Sequence, residues 1–307
     1  MLKKIKNLKN SLFSDLNEIK GILNNDINSP KINLGQIQIC LNKNRDISNI
    51  QEAEFKIFSQ WGDDGIIQHL LNNIEIENKV FIEFGVENYK ESNTRFLLIN
   101  NNWSGLVIDG SEQNIKYIKK DKISWAYDLH AVCKFITKDN INSIINDFVN
   151  QGYHRNIGIL SIDIDGNDYH IWKEINVIEP TIVIVEYNSI FGFKNTWSIP
   201  YDSNFKRLEK HNSYQYWGAS LKALKDLGKL KGYSLVGCNS NGNNAYFVKT
   251  DKLNNIIKEL TAEEAFVFSK FREDLLENDE RVSIFKRLDL IKDMTVLNTQ
   301  SNSLEKI

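Results

Sequence analysis

The sequence predicts an α/β fold, a doubly wound and mostly parallel Rossmann-like sheet with helices on both faces and helical extensions at its N- and C-terminal ends. Three observations predict it. Short apolar runs of strand length, Val80–Phe84, Leu106–Ile108, Ile157–Ile162 and Thr181–Val185, alternate with segments of helical apolar spacing. Each run opens into an acid and turn residues, as strands do when their carboxyl ends hold a ligand. At 307 residues with 41% apolar content the chain is long enough for one large domain or a domain with appendages.

Composition narrows the function classes. A formal net charge of −2 argues against a nucleic-acid partner held by a broad basic surface. Cys40, Cys133 and Cys238 are scattered, which is neither a disulfide framework nor a zinc pattern and suits a reducing compartment. No apolar run is long enough to span a bilayer and the first residues lack the apolar segment of a signal peptide, so a cytoplasmic location is expected. The expected organisation is an N-terminal helical extension and linker over 1–50, a ligand-binding domain over 51–250 and a helical, charged appendage over 251–307.

Met1–Asn25 places Leu2, Ile5, Leu8, Leu12, Leu16, Ile19 and Leu23 at helical spacing. Such a helix packs on its own domain or on a second subunit, making a homo-oligomer. The other reading is contact with anionic membrane through Lys3, Lys4, Lys6 and Lys9, against which Asp15 and Glu18 count. Asn24–Asn33 is polar, holds Pro30 and reads as a linker. Phe55–Ile74 is an approach segment and a helix. Its Ser59–Gly65 stretch reads as a turn and helix cap, and the Gln60 amide in it can meet a carboxylate.

Val80–Phe84 is the first strand. Glu83 lies near its carboxyl end, and Gly85 lets the backbone turn tightly and a ligand come close. Ser92-Asn93-Thr94 is expected to cap a helix through Arg95–Leu98, and Asn93 and Thr94 join the site at that helix N-terminus. Trp103-Ser104-Gly105 leads into the second strand, which ends in Asp109-Gly110-Ser111. That acid lies a little over twenty residues past Gly85, where a carboxylate accepts the ribose hydroxyls of an adenosine ligand. Nicotinamide is disfavoured, because Val86, Glu87 and Asn88 follow a single glycine instead of G-x-G-x-x-G.

Gln113–Lys120 reads as a helix, Ile123–Leu129 as the third strand, Ala131–Thr137 as the loop near the adenine, and Asn140–Val149 as a helix. Ile157–Ile162 is the fourth strand and opens into Asp163-Ile164-Asp165-Gly166-Asn167-Asp168. A short helix over Tyr169–Ile175 follows, then the fifth strand, Thr181–Val185, ending in Glu186-Tyr187-Asn188. A polar loop, Ser189–Tyr214, contains Pro200 and His211. A helix over Trp217–Leu227 precedes a last strand pair, Tyr233–Gly237 and Ala245–Lys249.

Phe-Ile-Glu-Phe-Gly-Val at 81–86, Glu-Ser-Asn-Thr-Arg at 91–95 and Trp-Ser-Gly-Leu-Val-Ile-Asp-Gly at 103–110 resemble the S-adenosylmethionine (SAM) region of class I methyltransferases. The likeness is to FkbM-type and related methyltransferases of surface-polysaccharide gene clusters, and runs from about Phe58 to Lys249. The chain departs from the family's E/D-x-G-x-G in having Glu87 at the second glycine. The resemblance implies a class I methyltransferase sheet, SAM bound by Gln60, Glu83, Gly85, Asn93, Thr94, Asp109, Gly110 and Asp163, and methyl transfer to a sugar hydroxyl of a surface glycan or its nucleotide-activated precursor. An N-methyltransferase often carries N/D-P-P-Y after the fourth strand, and this chain has none.

The acids after the fourth and fifth strands converge if those strands are neighbours. Oxygen ligands of this kind suit a hard divalent ion such as Mg2+. By analogy with small-molecule O-methyltransferases, Asp165, Glu186 and Asn188 would hold the metal while Asp163 faces SAM, although Tyr187 separates the acid from the amide. The alternative is that Asp163 binds only the methionine part of SAM and that Asp165–Asp168 is turn and cap chemistry. His211 is the candidate general base, with Asp165 as a second, and an exposed loop histidine without a role is the competing reading. His130 and His170 are weaker candidates, and His69 is expected to be structural. Asp163-Ile164-Asp165 also resembles the D-x-D of metal-dependent glycosyltransferases. A non-catalytic methyltransferase-like subunit is the third class.

Overall fold

The structure, a computed structural model, describes residues 28–271 and 286–307. Its centre is a seven-stranded sheet. β1 (Val80–Phe84), β2 (Ser104–Asp109), β3 (Leu129–Cys133), β4 (Ile159–Ile162) and β5 (Ile182–Glu186) are parallel, and β7 (Tyr233–Cys238) and β8 (Asn244–Lys249) add an antiparallel pair after the two-residue β6 (Trp197–Ser198). The order is β3-β2-β1-β4-β5-β8-β7. The chain therefore steps outward from β1 on one side and returns to step outward from β4 on the other. β1 and β4 are adjacent, with Glu83 beside Ser161, and the loops leaving them diverge to open a crevice. This is a Rossmann-like sheet of the class I methyltransferase type.

Both faces of the sheet are covered, which is why the parallel strands read as continuous apolar runs. Along β1, Phe81 packs with Leu97 and Val107 on one face, and Ile82 packs with Phe148 and Trp172 on the other. Helices α2 (Asp63–Asn73) and α3 (Arg95–Asn101) belong to the first face, α6 (Ile141–Val149), α7 (Asp168–Glu174) and α9 (Leu221–Leu230) to the second. Between them come α4 (Glu112–Lys120), the single turn α5 (Ile123–Ala126) and α8 (Arg207–Lys210).

Three expectations change. Ile123–Ala126 is helical and the third strand begins at Leu129, because β3 is an edge strand whose residues are all half-buried and carry no strong apolar signal. Residues 28–43 form helix α1, so part of the expected linker is helix. Its Ile32 and Ile39 pack on Ile57, Phe58 and Phe96, a burial that the polar composition conceals. The C-terminal appendage is not all helical. After the single turn α10 (Ala262–Ala265), its last residues form a hairpin of β9 (Thr295–Asn298) and β10 (Ser303–Lys306), added to β6. The alternating Thr295-Val296-Leu297 suits a strand, and the Asn298 Oδ1 accepts the Gln300 and Ser301 amides at 3.1 and 3.2 Å to make the turn. The helix expected over Met1–Asn25 lies outside the described residues. Among the described residues no helix is long and apolar enough to cross a membrane.

Candidate active site

The site is built around Gly85. Its φ of +69° is a left-handed conformation, and a Cβ there would lie 1.7 Å from the Asp163 carbonyl oxygen. Only glycine lets the turn after β1 pass that close to the end of β4. Glu87 takes φ +46°, a left-handed backbone that glycine adopts more readily than other residues. Its amide donates to Asp109 Oδ2 at 2.8 Å, so the first turn is tied to the end of β2. The other Asp109 oxygen accepts from the Ser111 amide at 2.7 Å and the Asn114 side chain at 3.1 Å. Together these turns wall a cleft of about 550 Å³ at the carboxyl ends of the strands, within the size range of small-molecule sites.

Of the residues expected to bind the cofactor, Gln60, Glu83, Gly85, Asn93, Asp109, Gly110 and Asp163 line this cleft. Thr94 falls outside the cleft, and Glu83 reaches it from a buried position. Glu83 is 5% exposed and its carboxylate is engaged internally. Oε1 accepts the Asn93 amide at 2.9 Å, and Oε2 accepts the Ser92 hydroxyl at 2.5 Å, the Thr94 amide at 3.1 Å and the Thr94 hydroxyl. Burial raises its pKa, and these donors offset only part of the rise. Thr94 is fully buried and lies outside the cleft. Its hydroxyl is committed to Glu83, so it makes no side-chain cap to α3. Glu83 and Thr94 thus brace the cleft floor, which Glu83 also lines. Asn93 does face it, with Nδ2 donating to Ser161 Oγ at 3.1 Å.

The opposite wall carries the acids. One carboxylate oxygen each from Asp163, Asp165 and Glu186 lie within 4.8 Å of one another. Burial, followed by the neighbouring carboxylates, raises the pKa of both Asp163 and Glu186 well above the ordinary range. Glu186 is 8% exposed and its Oε2 is buried without a hydrogen-bond partner. Asp168 lies outside the cluster. It accepts the Ile164 and Gly166 amides at 2.9 Å each and shapes the turn after β4, and burial pushes its carboxyl up to about 6.

Of the expected metal set, Asp165 and Glu186 come together, with Asp163, while the Asn188 side chain is engaged with the neighbouring loops. The Asn188 side chain donates to the Gln215 and Trp217 carbonyls at 2.9 and 3.0 Å, and its Oδ1 accepts the Ile190 amide at 3.2 Å. Its hydrogen-bonding groups hold the loops after β5 and α8 together. His211 also misses the cleft. Its Nδ1 accepts the Ser213 amide at 3.1 Å at the end of α8, and α8 delivers Arg207 to the acids instead. Arg207 Nη1 lies 2.9 Å from Asp165 Oδ1. His170 is buried, donates to the Ile199 carbonyl at 2.7 Å and has its pKa lowered by burial to about 4. His130 contacts the Tyr153 hydroxyl at 2.9 Å, and His69 is buried on α2.

Three features escape a reading by sequence. Arg207 has no motif around it. Phe135 lines the cleft beside Gly110, with its ring edge 3.5 Å from where a Gly110 Cβ would be, in the loop assigned to the adenine without a named residue. Asp63 and Asp64 look like ordinary first-turn acids, yet both are buried. Asp64 Oδ2 accepts the Ile57, Phe58 and Ser59 amides at 2.7, 2.7 and 2.8 Å. Asp63 Oδ1 accepts Asn239, Asn244 and Tyr246 at 3.0, 2.9 and 2.5 Å. They bolt the segment bearing Gln60 to the β7–β8 turn. That turn brings Asn243 to a side recess of about 60 Å³, which shares Gln60, Glu186, Arg207 and Asn243 with the cleft.

No protein-family model matches the chain, and no curated protein matches it. Solved structures with a similar arrangement include a SAM-dependent methyltransferase from Clostridium acetobutylicum ATCC 824, with 11% identity over 61% of this chain and 89% of that one and a TM-score of 0.37. They also include an O-methyltransferase from Bacillus cereus in complex with S-adenosylhomocysteine (SAH), with 10% identity over 72% and 91% and a TM-score of 0.39. A third is TehB from Haemophilus influenzae, with 11% identity over 61% and 62% and a TM-score of 0.38.

Proposed function

We propose that this protein is a SAM-dependent O-methyltransferase acting on a sugar hydroxyl of a surface glycan or of its nucleotide-activated precursor. The carrying observation is the joining of the Gly85 turn to Asp109 through the Glu87 amide, at the switch point of the sheet and in a cleft of about 550 Å³. Asp109 retains carboxylate lone pairs for the ribose hydroxyls. Gly110 and Phe135 flank the adenine, and the close-packed Gly85 and Asp163 take the methionine half. The bound cofactor supplies a methyl group on a cationic sulfur, which the raised pKa values of Asp163 and Glu186 make a welcome charge at the acid wall. The acceptor enters from the recess, where Trp61 offers a ring face and Gln60 and Asn243 offer amides. Residues 51–250 form the catalytic unit in this reading, with 1–50 and 251–307 as additions.

Oxygen is favoured over nitrogen as the acceptor atom because β4 opens into Asp163-Ile164-Asp165-Gly166 and not into N/D-P-P-Y. The test is thermal unfolding of the full chain with SAM, SAH, or a nucleotide-sugar with Mn2+. Ligand at a hundredfold excess over its Kd stabilises by about 2.7 kcal/mol. SAM and SAH are expected to raise Tm by the corresponding shift, on the order of 5 °C for a chain of this size. A rise with the nucleotide-sugar alone would overturn the assignment in favour of glycosyl transfer.

A further inference from the structure

We infer that Arg207 supplies, from within the chain, the positive charge that the acid cluster at the ends of β4 and β5 requires, so that this site works without a divalent ion. Only the link to turnover rests on the methyl-transfer reading; the charge arrangement does not. Three carboxylate oxygens within 4.8 Å of one another need a counter-charge, a proton or a cation to coexist. The Arg207 guanidinium lies 2.9 Å from Asp165 Oδ1 and is only 11% exposed. It is held in place by the Trp217 ring, 4.5 Å below the guanidinium carbon, and by Nε donating to the Tyr214 carbonyl at 2.9 Å. It borders both the cleft and the recess, at their junction beside Glu186.

A divalent ion among the same oxygens would face this fixed cation at short range, a repulsion worth a hundredfold or more in affinity, on the order of what unit charges a few ångströms apart exert near a protein surface. Asn188, the expected neutral ligand, is committed to holding the neighbouring loops. Arg207 is therefore a positioning residue. It keeps Asp165 on the rim and opposes part of the negative charge around the buried Glu186.

The experiment is Mn2+ binding to the full chain, without SAM, followed by electron paramagnetic resonance. Wild type is expected to show no saturable binding below about 1 mM, the weak end for oxygen-ligand sites. Arg207→Met is expected to bind Mn2+ about a hundredfold or more tighter, and Arg207→Met/Glu186→Gln to lose that gain. Arg207→Lys, which keeps the charge, is expected to resemble wild type. A merely structural arginine would not create a metal site when removed. Micromolar binding by wild type that Glu186→Gln abolishes overturns the inference, and that measurement needs no arginine variant to fold. Equal Mn2+ binding by wild type and folded Arg207→Met overturns it as well. Failure of SAM to bind would sink the methyl-transfer reading and leave these outcomes unchanged.

Discussion

Glu83→Gln separates a brace from a ligand. The wild-type carboxylate accepts four hydrogen bonds, two from backbone amides and two from hydroxyls. A glutamine must put its NH2 group on one of the two oxygen positions. At Oε2 it meets the Thr94 amide and both hydroxyls; at Oε1 it meets only the Asn93 amide, so it takes the latter. One buried amide is then left without an acceptor, at about 1–3 kcal/mol, and the other three bonds lose their charge assistance. Burial already disfavours the charge on Glu83, which offsets part of that loss. The expected net cost is about 2–4 kcal/mol of folding stability. Urea denaturation of the ligand-free protein measures it, and calorimetry with SAH at a temperature where the variant is folded measures the site. SAH affinity is expected to fall less than about fivefold, equivalent to about 1 kcal/mol. A variant as stable as wild type that binds SAH tenfold more weakly would refute the brace.

Asp109→Ala is expected to weaken SAM binding by about 2–4 kcal/mol, because a charged acceptor of the ribose is lost; unchanged affinity by calorimetry in a folded variant removes Asp109 from the ribose. The same substitution frees the Glu87 amide, so circular dichroism must accompany it. Burial raises the Asp64 carboxyl from 3.8 to about 6, so the native state binds that proton more tightly than the unfolded chain does. Its contribution to stability is full below about pH 4 and is lost as pH rises through 6, a fall of about 3 kcal/mol. Asp64→Asn, whose amide oxygen can take over the four donors to Oδ2, is expected to flatten part of that fall in urea titrations from pH 4 to 7, and an unaltered profile would contradict the assignment. On α1, Leu34, Ile37 and Leu41 are each more than half exposed at helical spacing, with no charged residue between Lys31 and Lys43 to oppose pairing with a second copy. Ile37→Glu is expected to shift a dimer to monomer in sedimentation velocity, and a wild type that is monomeric at tens of micromolar, a concentration where a Kd of 1 μM would give mostly dimer, excludes the pairing.

The sheet was legible because its signals are local. A buried parallel strand writes an apolar run of four to six residues, and the turn that follows writes its glycine and acid beside it. Gly85, Asp109 and Gly110 could therefore be placed from neighbours alone, and the structure finds them in one cleft. What failed was the partner of each polar group. Glu83 and Asn188 lie at strand ends and Thr94 at a helix N-terminus, yet their hydrogen-bonding groups are engaged inside the protein, and nothing in an acid or amide at such a position distinguishes a free carboxylate from one holding up a loop. Asp63 and Asp64 failed in the other direction. As first-turn acids they look solvent-facing, yet Asp63 is buried against Asn239, Asn244 and Tyr246, more than 170 positions later, and Asp64 under the amides of the preceding turn. The histidine assignment shows the same limit. Its place in the polar loop and its ordinary titration range favoured His211, but a loop folds by its anchors. Here Asn167 donating to the Asp202 carbonyl at 2.8 Å and Arg207 pairing with Asp165 at 2.9 Å decide which side chain of that loop reaches the acids. The charge left on the cleft wall after those internal pairs are made, and not the identity of any one acid, sets what the site can hold.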